Sequence, residues 1–151
     1  QELHQIAGLA AVEGPAVRVT LTDAPADFAP PGVDGDLLVV HEQDIQRVMN
    51  ALFAAGAEAM TIQDQRVIAT TAVKCVGNTV VLHGVPYAPP YVITAIGDQA
   101  ALEAGLAADN AVQIYRQYAK AYQLGYQQQR IDQVTMSAFN DPVVQVAKAQ
   151  R

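Results

Sequence analysis

VHEQDIQRVMNALFAAGAEAMTIQDQRVIATTAVKCV, residues 40–76, changes hydrophobic period once, and that change decides the fold. In its first part Ile45, Val48, Met49, Leu52 and Phe53 fall on one face of an α-helix, while Gln43, Gln46, Arg47 and Asn50 lie off it. Glu42 and Asp44 put negative charge in the first turn, where the helix dipole favours it. Gly56 stands where a residue with positive φ ends a helix. Beyond it the period becomes two: Glu58, Met60 and Ile62 share one side, and Ala57, Ala59 and Thr61 the other. Asp64-Gln65 is then expected to reverse the chain into a returning strand over 67–76.

Upstream, residues 17–22 (VRVTLT) alternate and predict the first strand. Leu3, Ile6 and Leu9 recur at helical spacing, a hint that Gly8 and Gly14-Pro15 are expected to end. Residues 23–36 (DAPADFAPPGVDGD) have no period and read as a long, mobile loop.

Downstream, Gly77-Asn78 predicts a hairpin turn into a strand over 79–83. The prolines of 85–90 (VPYAPP) are expected to break the ladder at an edge or crossing, and 91–97 (YVITAIG) is the next strand. Asp98 caps a helix to about Ala107, and Asp109 or Asn110 caps another. The latter's apolar face is Val112, Tyr115, Tyr118, Ala119 and Tyr122, with Tyr115 and Tyr122 expected in the core and the Tyr118 hydroxyl nearest solvent. Gly125 is expected to stop this helix, the glutamines 127–129 to be solvated, and 130–139 to form the last strand. This order predicts an α+β fold: a mainly antiparallel sheet with helices packed on one face, ferredoxin-like in type with extra strands. Residues 12–139 are expected to form the domain, with 1–11 the end of a longer upstream helix, which the family resemblance given below makes a stalk, and 140–151 a C-terminal tail.

Nine basic against fifteen acidic residues give a charge of −6, which argues against nucleic acid or anionic lipid as the main partner. Cys75 is the one cysteine, so no intrachain disulfide forms; inside an apolar run it reads as a small hydrophobe. No apolar run approaches the ~20 residues of a membrane span. The chain opens on Gln1 without a Met and reads as a fragment, which leaves room for an anchor ahead of it.

No catalytic, cofactor-binding or metal residue is assigned, and no cofactor is expected. His41, with Glu42 and Asp44 beside it, has the chemistry of an acid–base or metal cluster, but acids in a first helical turn are the commoner reading. His4 and His83 lack spaced partners. Asp34-Gly35-Asp36 resembles the start of a calcium loop without its remaining ligands. No Lys or Arg falls between Arg18 and Arg47, so Asp23, Asp27, Asp34, Asp36, Glu42 and Asp44 suit a basic partner or, more simply, a solvated loop. Arg66 reads as an ion-pair partner of Glu58 or Asp64 across the hairpin in preference to an anion ligand.

NALFAAGAEAMTIQDQRV, followed by PPYVITAIGD, resembles the bacterial envelope proteins grouped as domain-of-unknown-function family 881. The pattern falls on Asn50, Leu52, residues 55–59, Gln65-Arg66, Pro90-Tyr91, Ile93 and residues 95–97, and the resemblance spans about 9–139. The family's G-P-G is Gly14-Pro15-Ala16 here, and its Asn-Gly-type turn is Asp64-Gln65. The resemblance implies a single-pass cell-membrane protein: a short inner tail, one transmembrane helix, a coiled-coil stalk and this domain on the extracytoplasmic side. It also implies a link to cell division or wall synthesis, and it supplies no catalytic residues. The expected function is therefore a non-enzymatic interaction or scaffold domain, with protein partners in the envelope or a homo-oligomer. The alternative is a small-molecule-binding regulatory domain.

Overall fold

A computed structural model describes residues 10–68, 71, 74–76 and 79–138. In chain order its elements are β1 (Val12–Thr22), a 3-10 turn (Gly35–Leu38), α1 (Glu42–Ala54), β2 (Ala59–Ile62) and β3 (Gln65–Val67). There follow β4 (Lys74–Val76), β5 (Thr79–Leu82), β6 (Val85–Tyr87), β7 (Tyr91–Ile96), α2 (Gln99–Ala108), α3 (Asn110–Tyr122) and β8 (Gly125–Met136). The main sheet has the order β3-β2-β7-β1-β8 with every pair antiparallel, and β4-β5-β6 form a second sheet. Leaving out β3, this is the ferredoxin-like arrangement: β1-α1-β2 straddles β7, and β7-α2-α3-β8 straddles β1. The expected fold class holds, with β3 to β6 as the extra strands.

Alternation decides which face the helices cover. Val17, Val19 and Leu21 of β1, Met60 and Ile62 of β2, and Tyr91, Ile93 and Ala95 of β7 form one core with the helices. From α1 it takes Ile45, Val48, Met49 and Leu52, the face its periodicity predicts; Phe53 is half-buried. The carboxylates of Asp98 and Asp109 cap α2 and α3, accepting from the Ala101 and Val112 amides at 3.1 and 3.0 Å. Gly56 has φ 99° just past α1. Among the described residues no helix is long and apolar enough to cross a membrane.

Several expectations need correction. Gly14-Pro15 does not break the chain ahead of the first strand; both lie inside β1, a central strand. Proline is tolerated there because the β1–β8 register shifts between Gly14 and Ala16, where Asp132 and Gln133 form a bulge. The turn after β2 is Gln63-Asp64, one residue earlier than read, since Ile62 pairs with Gln65 and both turn residues have positive φ, 51° and 63°. Gln63 is pinned in that conformation: its side chain accepts from the Val92 amide at 2.7 Å and donates to the Pro90 carbonyl at 3.0 Å. The expected strand over 67–76 is replaced by β3, which ends at Val67, and β4, which begins at Lys74; between them the Thr71 hydroxyl accepts from the Ile68 amide and the Thr71 amide donates to the Ile68 carbonyl, each at 2.9 Å.

Residues 85–90 do contain a strand, β6, with Pro86 on the edge of the small sheet. Gln123, in the left-handed region, ends α3; Gly125 instead opens β8, where a Cβ would come within 2.8 Å of the Thr22 hydroxyl. The last strand therefore starts five residues before Arg130, and the exposed glutamines 127–129 belong to it. The stalk hint at Leu3, Ile6 and Leu9, the Gly77-Asn78 turn, the tail and the Cys75 side chain lie outside the described residues.

Candidate functional site

The face of the sheet opposite the helices carries a polar row that crosses five strands. Arg18 of β1 lies opposite Thr94 of β7, Thr94 opposite Thr61 of β2, and Thr61 opposite Arg66 of β3. Gln129 of β8 extends the row beyond Arg18. Directly opposed residues project to the same face, so two guanidinium side chains bracket two threonines. Three strand spacings separate the arginine Cα atoms, about 14 Å. Arg18 Nε donates to Thr94 Oγ1 at 3.0 Å, which holds its side chain down on the sheet.

A wall rises beside this row. The bulge opposite Pro15 bends the end of β8, and Met136 and Val12 bury themselves against Ala16, Ala59 and Ile96 on the same open face. Arg66 secures the wall: its Nη1 donates to the carbonyls of Ala10 at 2.9 Å and Ser137 at 2.8 Å. Arg66 is only 5 % exposed, and burial pulls its guanidinium below its ordinary pKa, although an arginine stays charged at any neutral pH. Sheet floor and β8 wall enclose a cavity of about 440 Å³ lined by Arg18, Thr61, Thr94, Asp64, Arg66 and residues 134–138. Thr61 and Thr94 are buried, 8 % and 3 % exposed, and among the described residues neither hydroxyl proton has a protein acceptor.

The residues that drew attention in the sequence lie elsewhere. His41 precedes α1, its amide donating to Asp44 Oδ2 at 2.9 Å, so the His41–Asp44 pair is a helix start. Burial raises the Asp44 carboxyl above its ordinary value, against the His41 amide and the nearby His41 and Arg47. Asp36 reaches His41 Nε2 at 3.2 Å, and Asp34 caps the 3-10 turn through the Asp36 amide at 2.9 Å. Asp23 accepts from the Val40 amide at 2.8 Å, and Leu37 from the Tyr118 hydroxyl, so the acidic loop is tied at its ends. His83 turns the chain between β5 and β6 with φ 52°. Tyr115 is core, its hydroxyl donating to the Gly125 carbonyl at 3.3 Å; Tyr122 is half-buried and less enclosed than expected.

Reading the sequence singled out Arg66 for a hairpin ion pair, and passed over Arg18, Thr61 and Thr94. The available signal was a polar residue inside otherwise apolar runs: Arg18 in VRVTLT, Thr61 in AMTI and Thr94 in YVITAI.

The family model described as "Bacterial protein of unknown function (DUF881)" matches residues 1–150. The chain belongs to this family. Among curated relatives, this DUF881 chain is 37% identical over 91 residues to the UPF0749 protein YlxW of Bacillus subtilis, covering 60% of this chain and 38% of that one. It is 31% identical over 106 residues to the UPF0749 protein Rv1823 of Mycobacterium tuberculosis, covering 67% and 34%. The chain thus spans little more than a third of the length of these relatives. The DUF881 fold recurs in the crystal structure of an uncharacterized conserved protein from Mycobacterium tuberculosis, with TM-score 0.72, 28% identity and coverage of 93% and 91%.

Proposed function

We propose that this domain is an extracytoplasmic binding module of a membrane-anchored envelope protein, which holds a partner and performs no chemistry on it. The polar row Arg18–Thr94–Thr61–Arg66 on the helix-free face carries the reading. Guanidinium groups and hydroxyls hold and orient an anionic or polar group, and nothing in the row takes up a proton at neutral pH. The location outside the cytoplasm, the anchor and the link to division or wall synthesis rest on the family resemblance. The small-molecule reading draws on the same surface, because the walled cavity is within the size range of ligand pockets.

The test is site-specific photo-crosslinking in cells making the full-length protein. Probes go at Gln129, exposed at the end of the row, and at Lys120, exposed on α3. A membrane-impermeant reagent added outside the cell scores the side. Adducts from Gln129 and labelling from outside support the module; adducts from Lys120 alone, or protection from the reagent, contradict it.

A further inference from the structure

We infer that the open-face cavity is a binding site for a carboxylate, with Arg18 as its principal ligand and Thr61 and Thr94 as hydroxyl donors. This deepens the binding reading above and rests on it. Three observations converge.

The first is donor supply. Arg18 spends Nε on Thr94, and among the described residues no carboxylate lies within ion-pair distance of its guanidinium. Its terminal nitrogens remain as a planar fork, the geometry that grips a carboxylate through two parallel hydrogen bonds. Because Thr94 Oγ1 already accepts from Arg18, its own proton must point to a further acceptor, and the Thr61 hydroxyl beside it adds a second donor. Both threonines line the open cavity, so an oxyanion over the row is within reach of their hydroxyls.

The second is the field. Arg66 contributes through its charge, whatever its hydrogen bonds, because a buried guanidinium in a low-dielectric wall acts at range. The third is charge balance. Arg18 and Arg66 against Asp64 leave the lining with one net positive charge. A singly charged carboxylate neutralises it, whereas a phosphate dianion would leave negative charge enclosed, which is costly.

The full 151-residue chain, labelled for NMR, is titrated at neutral pH with acetate and, separately, with inorganic phosphate, chloride holding the ionic strength constant. Acetate is expected to shift the Arg18 Nε–H and the Thr61 and Thr94 amides saturably, and phosphate to bind more weakly. Arg18→Gln should weaken acetate at least about tenfold, the loss expected for a hydrogen bond to a charged group. Its melting temperature should fall no further than that of Thr94→Val, which loses the same hydrogen bond, and Arg18→Lys should recover part of the affinity. Absence of saturation, tighter binding of phosphate, or unchanged affinity in Arg18→Gln would each overturn the inference. Should acetate fail while Gln129 still crosslinks, this inference falls alone; should both fail, the binding module falls with it.

Discussion

Arg18 and Thr94, 76 residues apart in sequence, join side chain to side chain at 3.0 Å across the β1–β7 ladder. The bond lies on the face away from the helices, so it contributes to the row more than to the core. Thr94→Val should therefore cost about 0.5–1.5 kcal/mol, the net value of one hydrogen bond, in denaturant unfolding. A loss above that range would show that the open face carries more of the fold than its row implies.

The core on the other face should respond far more strongly. Leu52 is fully buried among sheet and helix residues, and Leu52→Ala is expected to cost ~2–5 kcal/mol by the same measurement. A loss comparable to that of Thr94→Val would contradict the packing described.

Gly105 of α2 fits against Ala55, at the end of α1, so closely that a Cβ there collides with the Ala55 side chain. Alanine is the better helix former by about 1 kcal/mol, yet the clash should dominate. Gly105→Ala is expected to lower stability by roughly 1–3 kcal/mol, and a gain would show that the helices can separate freely.

Tyr115 gives a pH dependence. Burial, with smaller contributions from Asp44, Asp23 and Tyr118, pushes its hydroxyl well above the ordinary 10.0. Above that value the unfolded chain loses the proton while the folded one keeps it, so folding stability must fall as pH rises. The stabilisation is complete below about pH 10 and declines above it by up to about 1.4 kcal/mol per pH unit. Urea midpoints between neutral and strongly alkaline pH should show a steeper decline than in Tyr115→Phe. Parallel curves would assign the alkaline loss to other groups.

What the sequence reveals here is what depends on neighbours along the chain. The helical face from Ile45 to Leu52 and the caps Asp98 and Asp109 are local patterns, and they stand as read. Pro15 misled because its exemption is granted by a bulge in β8, more than a hundred residues away. Thr71 misled because a β-branched residue also carries a hydroxyl that can cap a turn. The polar row was out of reach for the same reason as Pro15. Arg18, Thr61, Arg66 and Thr94 become neighbours only once the register of four strands is set, and register follows from the burial of the opposite face.

The central claim is that the helix-free face is the working surface and that its row receives a carboxylate. The most direct measurement is a crystal structure of the chain grown with acetate. The expected result is a carboxylate hydrogen-bonded to Arg18 and to the Thr61 and Thr94 hydroxyls within the cavity beside Arg66. Acetate bound only away from Arg18, or water alone over the row, would contradict the account.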